Sequence, residues 1–168
     1  VGVGAAVLWS DYDNDGFMDL LVLNQTETGA GKHFLYHNNA NGTFTRILTN
    51  AIAQDAWSRG SEGGEWGDYD NDGLQDLFIA DLGGVRNRLY HNNGSGSFSN
   101  VNVGPMLVPP SGSEPHVASW GDYDNDGRLD ILLTGTTNYI SGVFSQVWWN
   151  TGSGFTDINA GLPASYEG

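Results

Sequence analysis

DYDNDGFMDLLVL, residues 11–23, decides how this chain folds. Its carboxylates, Asp11, Asp13, Asp15 and Asp19, stand at positions 1, 3, 5 and 9 of the phrase, and Gly16 stands at position 6. The phrase returns as DYDNDGLQDLFIA (68–80) and DYDNDGRLDILLT (122–134). Twelve of the chain's 20 acidic residues lie in these three copies, so the net charge of −14 is mostly a property of the phrase.

Other features recur in the same phase. Trp9, Trp66 and Trp120 each sit two residues before the first Asp. A second phrase follows each acidic one: FLYHNNANGTF (34–44), RLYHNNGSGSF (88–98) and QVWWNTGSGF (146–155). A period of about 55 residues marks a repeat architecture. Each unit reads as a strand ending in Trp, the acidic loop, an apolar strand, an aromatic strand, an Asn/Gly turn, and a strand opening with Phe. DLLVL, DLFIA and DILLT are short apolar runs between turn signals, which suits buried strands. The Asn/Gly stretches are hairpin chemistry, because both residues tolerate positive φ. With 25 Gly and no sustained helical period, no substantial helix is expected. The fold class is therefore all-β: three four-stranded antiparallel sheets, each close to one propeller blade. The boundaries fall at about 1–56, 57–112 and 113–168, in one segment. Residues 104–115 carry four of the five prolines and read as a long loop between the second and third units.

Composition narrows the function. Only 6 Lys and Arg oppose the acids, which argues against a nucleic-acid partner. The 39% apolar and 12% aromatic content argues for a packed core, not a disordered acidic tail. No apolar run is long enough for a membrane span. There is no Cys, so no disulfide holds the chain. The opening VGVGAAVLW has neither Met nor a signal-peptide pattern and reads as an interior piece of a longer product.

Carboxylates at positions 1, 3, 5 and 9 of a tight loop converge on one point. Position 7 (Phe17, Leu74, Arg128) would add a backbone carbonyl, which is why its side chain varies. Six to eight hard oxygen ligands at about 2.3–2.6 Å are what Ca²⁺ takes. Mg²⁺ demands a stricter octahedron, and Zn²⁺ prefers His or Cys. An EF-hand loop needs a bidentate acid at position 12, where this chain has Val22, Ile79 and Leu133. Unliganded, four clustered carboxylates repel and raise one another's pKa; a dication removes that cost.

The pattern W-G-D-Y-D-N-D-G-x-x-D-[LI], followed by L-Y-H-N-N-x-x-G-x-F, resembles the FG-GAP/VCBS repeats of integrin-α-like β-propellers. It is most similar to their bacterial and cartilage-acidic-protein-like members. The resemblance implies four-stranded blades with Ca²⁺ in the loop between the first two strands. It carries over three Ca²⁺ sites: Asp11, Asp13, Asp15, Asp19 and the carbonyl of Phe17; Asp68, Asp70, Asp72, Asp76 and the carbonyl of Leu74; Asp122, Asp124, Asp126, Asp130 and the carbonyl of Arg128. It also implies a secreted, extracellular or cell-surface setting and a role in adhesion and recognition. Some relatives are lectins and a few are polysaccharide lyases, so a non-catalytic adhesion module, a glycan-binding module and part of a polysaccharide-degrading enzyme all stay open. No catalytic constellation stands out, which favours a non-enzyme. Propellers close with about four to eight blades. Three leave terminal faces to be covered by missing blades or by homo-oligomer contacts.

The remaining candidates have plainer readings. His37 and His91 recur in phase and read as packing or turn residues, and His116 as a solvated loop residue. The three in-phase tryptophans read as blade packing. Trp57, out of phase, reads as a buried staple and, failing that, is the aromatic best suited to a surface or glycan contact. Arg86 and Arg88 read as a solvated strand face. Asn24, Asn41 and Asn93 match the N-glycosylation pattern, although Asn41 and Asn93 also suit hairpin turns.

Overall fold

Each acidic loop ends where its ninth-position Asp enters a strand, and that junction sets the register of a hairpin. The computed structural model describes residues 3–25, 32–55, 60–61, 63–82, 86–101, 104–108, 112–137 and 142–162. The first hairpins are β1 (Val3–Ser10) with β2 (Asp19–Gln25), β5 (Gly63–Gly67) with β6 (Asp76–Ala80), and β9 (Ser113–Gly121) with β10 (Asp130–Thr137). In all three, the residue after Trp pairs with the ninth-position Asp: Ser10 with Asp19, Gly67 with Asp76, Gly121 with Asp130. The aromatic strands β3 (Phe34–Asn38), β7 (Arg88–Asn92) and β11 (Gly142–Asn150) come next. The Phe-led strands β4 (Phe44–Ile47), β8 (Phe98–Val101) and β12 (Phe155–Asp157) finish each unit. The result is three separate antiparallel sheets, β1-β2-β3-β4, β5-β6-β7-β8 and β9-β10-β11-β12. They are propeller blades in an open run, with no closed barrel.

Period-two alternation explains how one blade packs on the next. Successive side chains of a strand point to opposite faces. In β6, Leu77 and Ile79 join Leu21, Leu23 and Tyr12 in a core between blades one and two. Phe78 and Ala80 join Ala118, Ile131 and Leu133 in a second core between blades two and three. The middle blade is covered on both sides, so DLFIA is buried throughout and reads as a continuous apolar run. Close approach of the innermost strands needs small residues. A Cβ on Gly63 would run into the His116 carbonyl, and one on Gly67 would lie 2.7 Å from the Trp120 ring.

Two connections differ from expectation. A one-turn helix, α1 (Ala51–Gln54), stands between the first two blades, capped by the Asn50 Oδ1 accepting the Ala53 N–H at 2.9 Å. It places Ile52 in the first core. The proline-rich connection is shorter than expected. A 3₁₀ turn at Pro105–Leu107 drives Met106 and Leu107 into the second core, and Ser113–Pro115 already belong to β9. Pro115 is tolerated there because β9 is an edge strand with a register shift opposite Thr134 and Gly135. His116 is accordingly a strand residue, its Nε2 3.1 Å from the Thr136 hydroxyl.

Arg88 is no solvated face. Its Nε donates to Asp55 at 3.0 Å, and the same carboxylate oxygen accepts from the Tyr90 hydroxyl at 2.7 Å. This network ties β7 to the end of α1. Among the described residues, no helix is long and apolar enough to cross a membrane.

Candidate metal centre

The loops are built by their own carboxylates. In the first, Asp11 accepts the backbone N–H groups of Asp15 and Gly16, both at 2.9 Å, and Asp15 accepts that of Phe17 at 2.9 Å. The other two loops repeat these bonds between 2.9 and 3.0 Å. Position 4 is left-handed in each, with φ of 58°, 62° and 59° at Asn14, Asn71 and Asn125. Asn is among the few side chains that accept this conformation. Position 6 is Gly with φ between 85° and 90°.

The buried ninth-position Asp joins the loop to the sheet. Asp19 accepts the Tyr12 N–H at 3.3 Å and the Asn38 N–H, from β3, at 2.8 Å. Asp76 does the same with Tyr69 (3.2 Å) and Asn92 (2.8 Å), and Asp130 with Tyr123 (3.0 Å) and Asn150 (2.7 Å).

These bonds bring the expected acids together. One oxygen each from Asp11, Asp13 and Asp15 lie within 4.8 Å of one another; so do oxygens of Asp68, Asp70 and Asp76, and of Asp122, Asp124 and Asp130. Asp19 closes on Asp13, and Asp72 on Asp70, each within a group that includes a histidine. Asp126 is different. Its Oδ2 is paired with the Arg128 guanidinium, whose Nε donates to the Asn150 carbonyl at 2.8 Å. The third loop thus carries an internal cation where the second has Leu74.

Sequence reasoning missed the role of two imidazoles. His37 Nδ1 stands 3.1 Å from Asp13 and 3.4 Å from Asp19; His91 Nδ1 stands 3.2 Å from both Asp70 and Asp76. They roof the first two clusters, while the third blade has Trp149 in that phase. A signal was present. Each His directly precedes the Asn whose backbone caps the ninth-position Asp, so it must lie beside the loop.

The donor set fits a hard dication. It is rich in carboxylate oxygen, and Asp13 Oδ1 is buried without a hydrogen-bond partner. Burial, with Asp70 nearby, raises Asp76 from 3.8 to about 7 against the lowering by its amide donors and His91. Burial also raises Asp19, Asp13 adding to it. A dication among these oxygens would favour the ionised forms. The N–H groups of Phe17, Leu74 and Arg128 are turned to the position-5 carboxylates.

Two other candidates resolve differently. Trp57 lies outside the described residues. Asn24 is buried, its Nδ2 donating to the Lys32 carbonyl at 2.8 Å, so this amide is committed inside the blade and not offered to a glycan.

A family model for the FG-GAP-like repeat matches residues 11–79 and 68–133. Integrin alpha-4 of Xenopus laevis is 34% identical over 82 residues, which cover 46% of this chain and 8% of that protein. The chain therefore spans a small part of that relative's length. Loop, hairpin register and sheet order coincide with residues that the repeat model covers, and this chain belongs to the FG-GAP-like repeat family.

Proposed function

We propose that this chain is a calcium-stabilised β-propeller segment serving as a non-catalytic adhesion and assembly module at an extracellular or cell surface. It comprises three units, at about 1–56, 57–112 and 113–168. Its loops hold three Ca²⁺ through the twelve aspartates and the carbonyls of Phe17, Leu74 and Arg128. Its partners are a protein or glycan ligand at the exposed surface and further blades at the terminal faces. The likeness to an integrin α chain supports the adhesion reading.

One observation carries the metal reading. The same carboxylate cradle is built three times, in the same register, at the same hairpin, each with a buried acid at its base. Such clustering is costly without a cation. Affinities near those of extracellular modules, about 10⁻⁴ M, would add about 2.7 kcal/mol per site at 10 mM Ca²⁺. Differential scanning calorimetry in 10 mM CaCl₂ and in EDTA tests this. The expected result is a melting temperature at least about 5 °C lower in EDTA. Equal temperatures would remove calcium from the account. Binding of the immobilised chain to a panel of matrix proteins and glycans, lost on chelation, would place the ligand surface near the loops.

A further inference from the structure

We propose that the imidazoles of His37 and His91 complete the first two loops as mixed nitrogen–oxygen sites, which take Zn²⁺ through Nδ1, while the third loop offers oxygen alone. The inference rests on the reading of the acidic loops as metal sites and divides those sites into two kinds.

The placement is the same in both blades. His37 lies on β3 opposite Thr45, and His91 on β7 opposite Ser99. In each, Nδ1 faces the acids at positions 3 and 9. The distances are 3.1 Å to Asp13 and 3.4 Å to Asp19, and 3.2 Å to both Asp70 and Asp76. The other ring nitrogen stands 3.9 Å from Asp15 and 4.0 Å from Asp72, so Nδ1 is the donor atom.

Hydrogen bonding does not account for this approach. Both Nδ1 atoms are buried, and neither has a partner in hydrogen-bonding geometry. Asp13 Oδ1, in the first cluster, is also buried and unpaired. Buried polar atoms ordinarily have a partner, and an exception calls for an ion, a water or a function. The spacing suits an ion. Donors held at about 2.0–2.2 Å in a tetrahedron stand about 3.4 Å from one another. One imidazole and two carboxylates are three protein ligands, the number found in open zinc sites.

The donors are held in advance. Each position-3 acid follows a tyrosine that is locked between blades. Tyr12 stacks on Trp66 at 6.2 Å and 13° and tilts against Phe98 at 5.7 Å. Tyr69 stacks on Trp120 at 6.3 Å and 11° and tilts against Phe155 at 6.0 Å. Tyr69 also meets the His91 ring edge-on, at 6.4 Å and 82°. An ion has a way in as well. A cavity of about 530 Å³ between blades one and two is lined by Asp13 and His37.

Nitrogen changes which ion is preferred. Imidazole suits Zn²⁺ and its transition-metal neighbours, whereas Ca²⁺ takes oxygen. The third blade is the built-in control. Trp149 stands in the phase of the two histidines, and an indole N–H only donates. Asp126 is paired there with Arg128.

Calcium-free protein titrated with ZnCl₂ in a calorimeter tests this, for wild type, His37→Phe, His91→Phe and the double variant. Circular dichroism checks that each folds. The expected result is two Zn²⁺ per chain in wild type, one in each single variant and none in the double. Affinity at the altered loop should fall by about 100-fold or more, because a lost ligand costs at least as much as a lost outer partner. Calcium binding at the same loops should change by less than about threefold, since oxygen supplies it. Nitrogen-15 NMR of the wild-type imidazoles reads the ligand atom directly and needs no variant. Zn²⁺ should shift the Nδ1 resonances of His37 and His91 and leave that of His33 in place. Unshifted Nδ1 resonances overturn the proposal, as does zinc binding insensitive to both substitutions. Equal loss of zinc and calcium in the variants also overturns it, because that is the mark of a purely structural histidine. The two readings fail separately. Zinc bound through Nδ1, in a protein whose melting temperature ignores calcium, upholds the imidazole sites and removes calcium. A calcium-dependent melt with unshifted imidazoles upholds calcium and removes the imidazole sites.

Discussion

Burial sets the ionisation of His33 and gives the fold a pH dependence. The ring accepts the Asn24 N–H at Nδ1, at 3.1 Å, and so must stay neutral there. Burial lowers it from 6.5 to about 4, against a weaker upward pull from Asp55. The unfolded chain binds this proton first on acidification. Stability from His33 is therefore fully present above pH 6.5 and is lost as pH falls towards 4. The loss between pH 7 and pH 5 is about 2 kcal/mol. Asp76 runs the other way in metal-free protein, because its raised value makes it a contributor below pH 3.8 that is lost as pH rises through about 7. Urea midpoints of wild type and His33→Gln at pH 7 and pH 5 isolate the histidine. Asp76 acts equally in both proteins, so between pH 7 and pH 5 the wild type is expected to lose stability relative to the variant, and an unchanged difference would refute the assignment. Arg128 offers a second test at this scale. Its guanidinium competes with a cation for Asp126, in a partly exposed pair worth at most about 1 kcal/mol. Calcium titrations should show one of three sites tightened by about fivefold in Arg128→Leu, which copies the second blade. An unchanged or weakened site would mean that Asp126 is not a ligand.

The hairpin is the element at which the sequence was most legible. Loop and strand are contiguous, so position 9 could be assigned to the first residue of a strand from spacing alone. Asp19, Asp76 and Asp130 all lie there. What spacing could not show is contact across blades. Trp9, Trp66 and Trp120 look identical in the sequence, yet Trp9 is exposed, while Trp66 and Trp120 each pack under a tyrosine of the neighbouring blade. Asn38, Asn92 and Asn150 are equivalent in the same way, but only the latter two donate to an earlier blade. That difference is measurable. Asn92→Ala leaves the buried Tyr12 carbonyl without its donor, while Asn38→Ala removes only a bond within its own blade. The first should cost about 1–2 kcal/mol more in chemical denaturation. Equal costs would show that the inter-blade amide contributes nothing. Proline-rich residues 104–115 were misjudged for a related reason. Composition marks a loop but not its packing: Met106 and Leu107 are drawn into the second core, and Pro115 is buried within β9.

At the scale of the whole molecule, charge and apolar surface are segregated. The acids gather in the loops at one end of every first hairpin, and the apolar faces lie flat between sheets. Coulombic repulsion among the loops and hydrophobic attraction among the faces thus act on different parts of the same blade. Three dications would remove six of the fourteen excess negative charges without touching any face. The recurring Tyr on Trp–Phe contact has a lineage consequence. Both seams draw their rings from the same positions of consecutive units, so a tandem duplication or deletion of one whole unit would leave a Tyr facing a Trp and a Phe at each remaining seam. Gene lengthening by unequal crossing-over would then alter the number of blades without unpairing any of these rings.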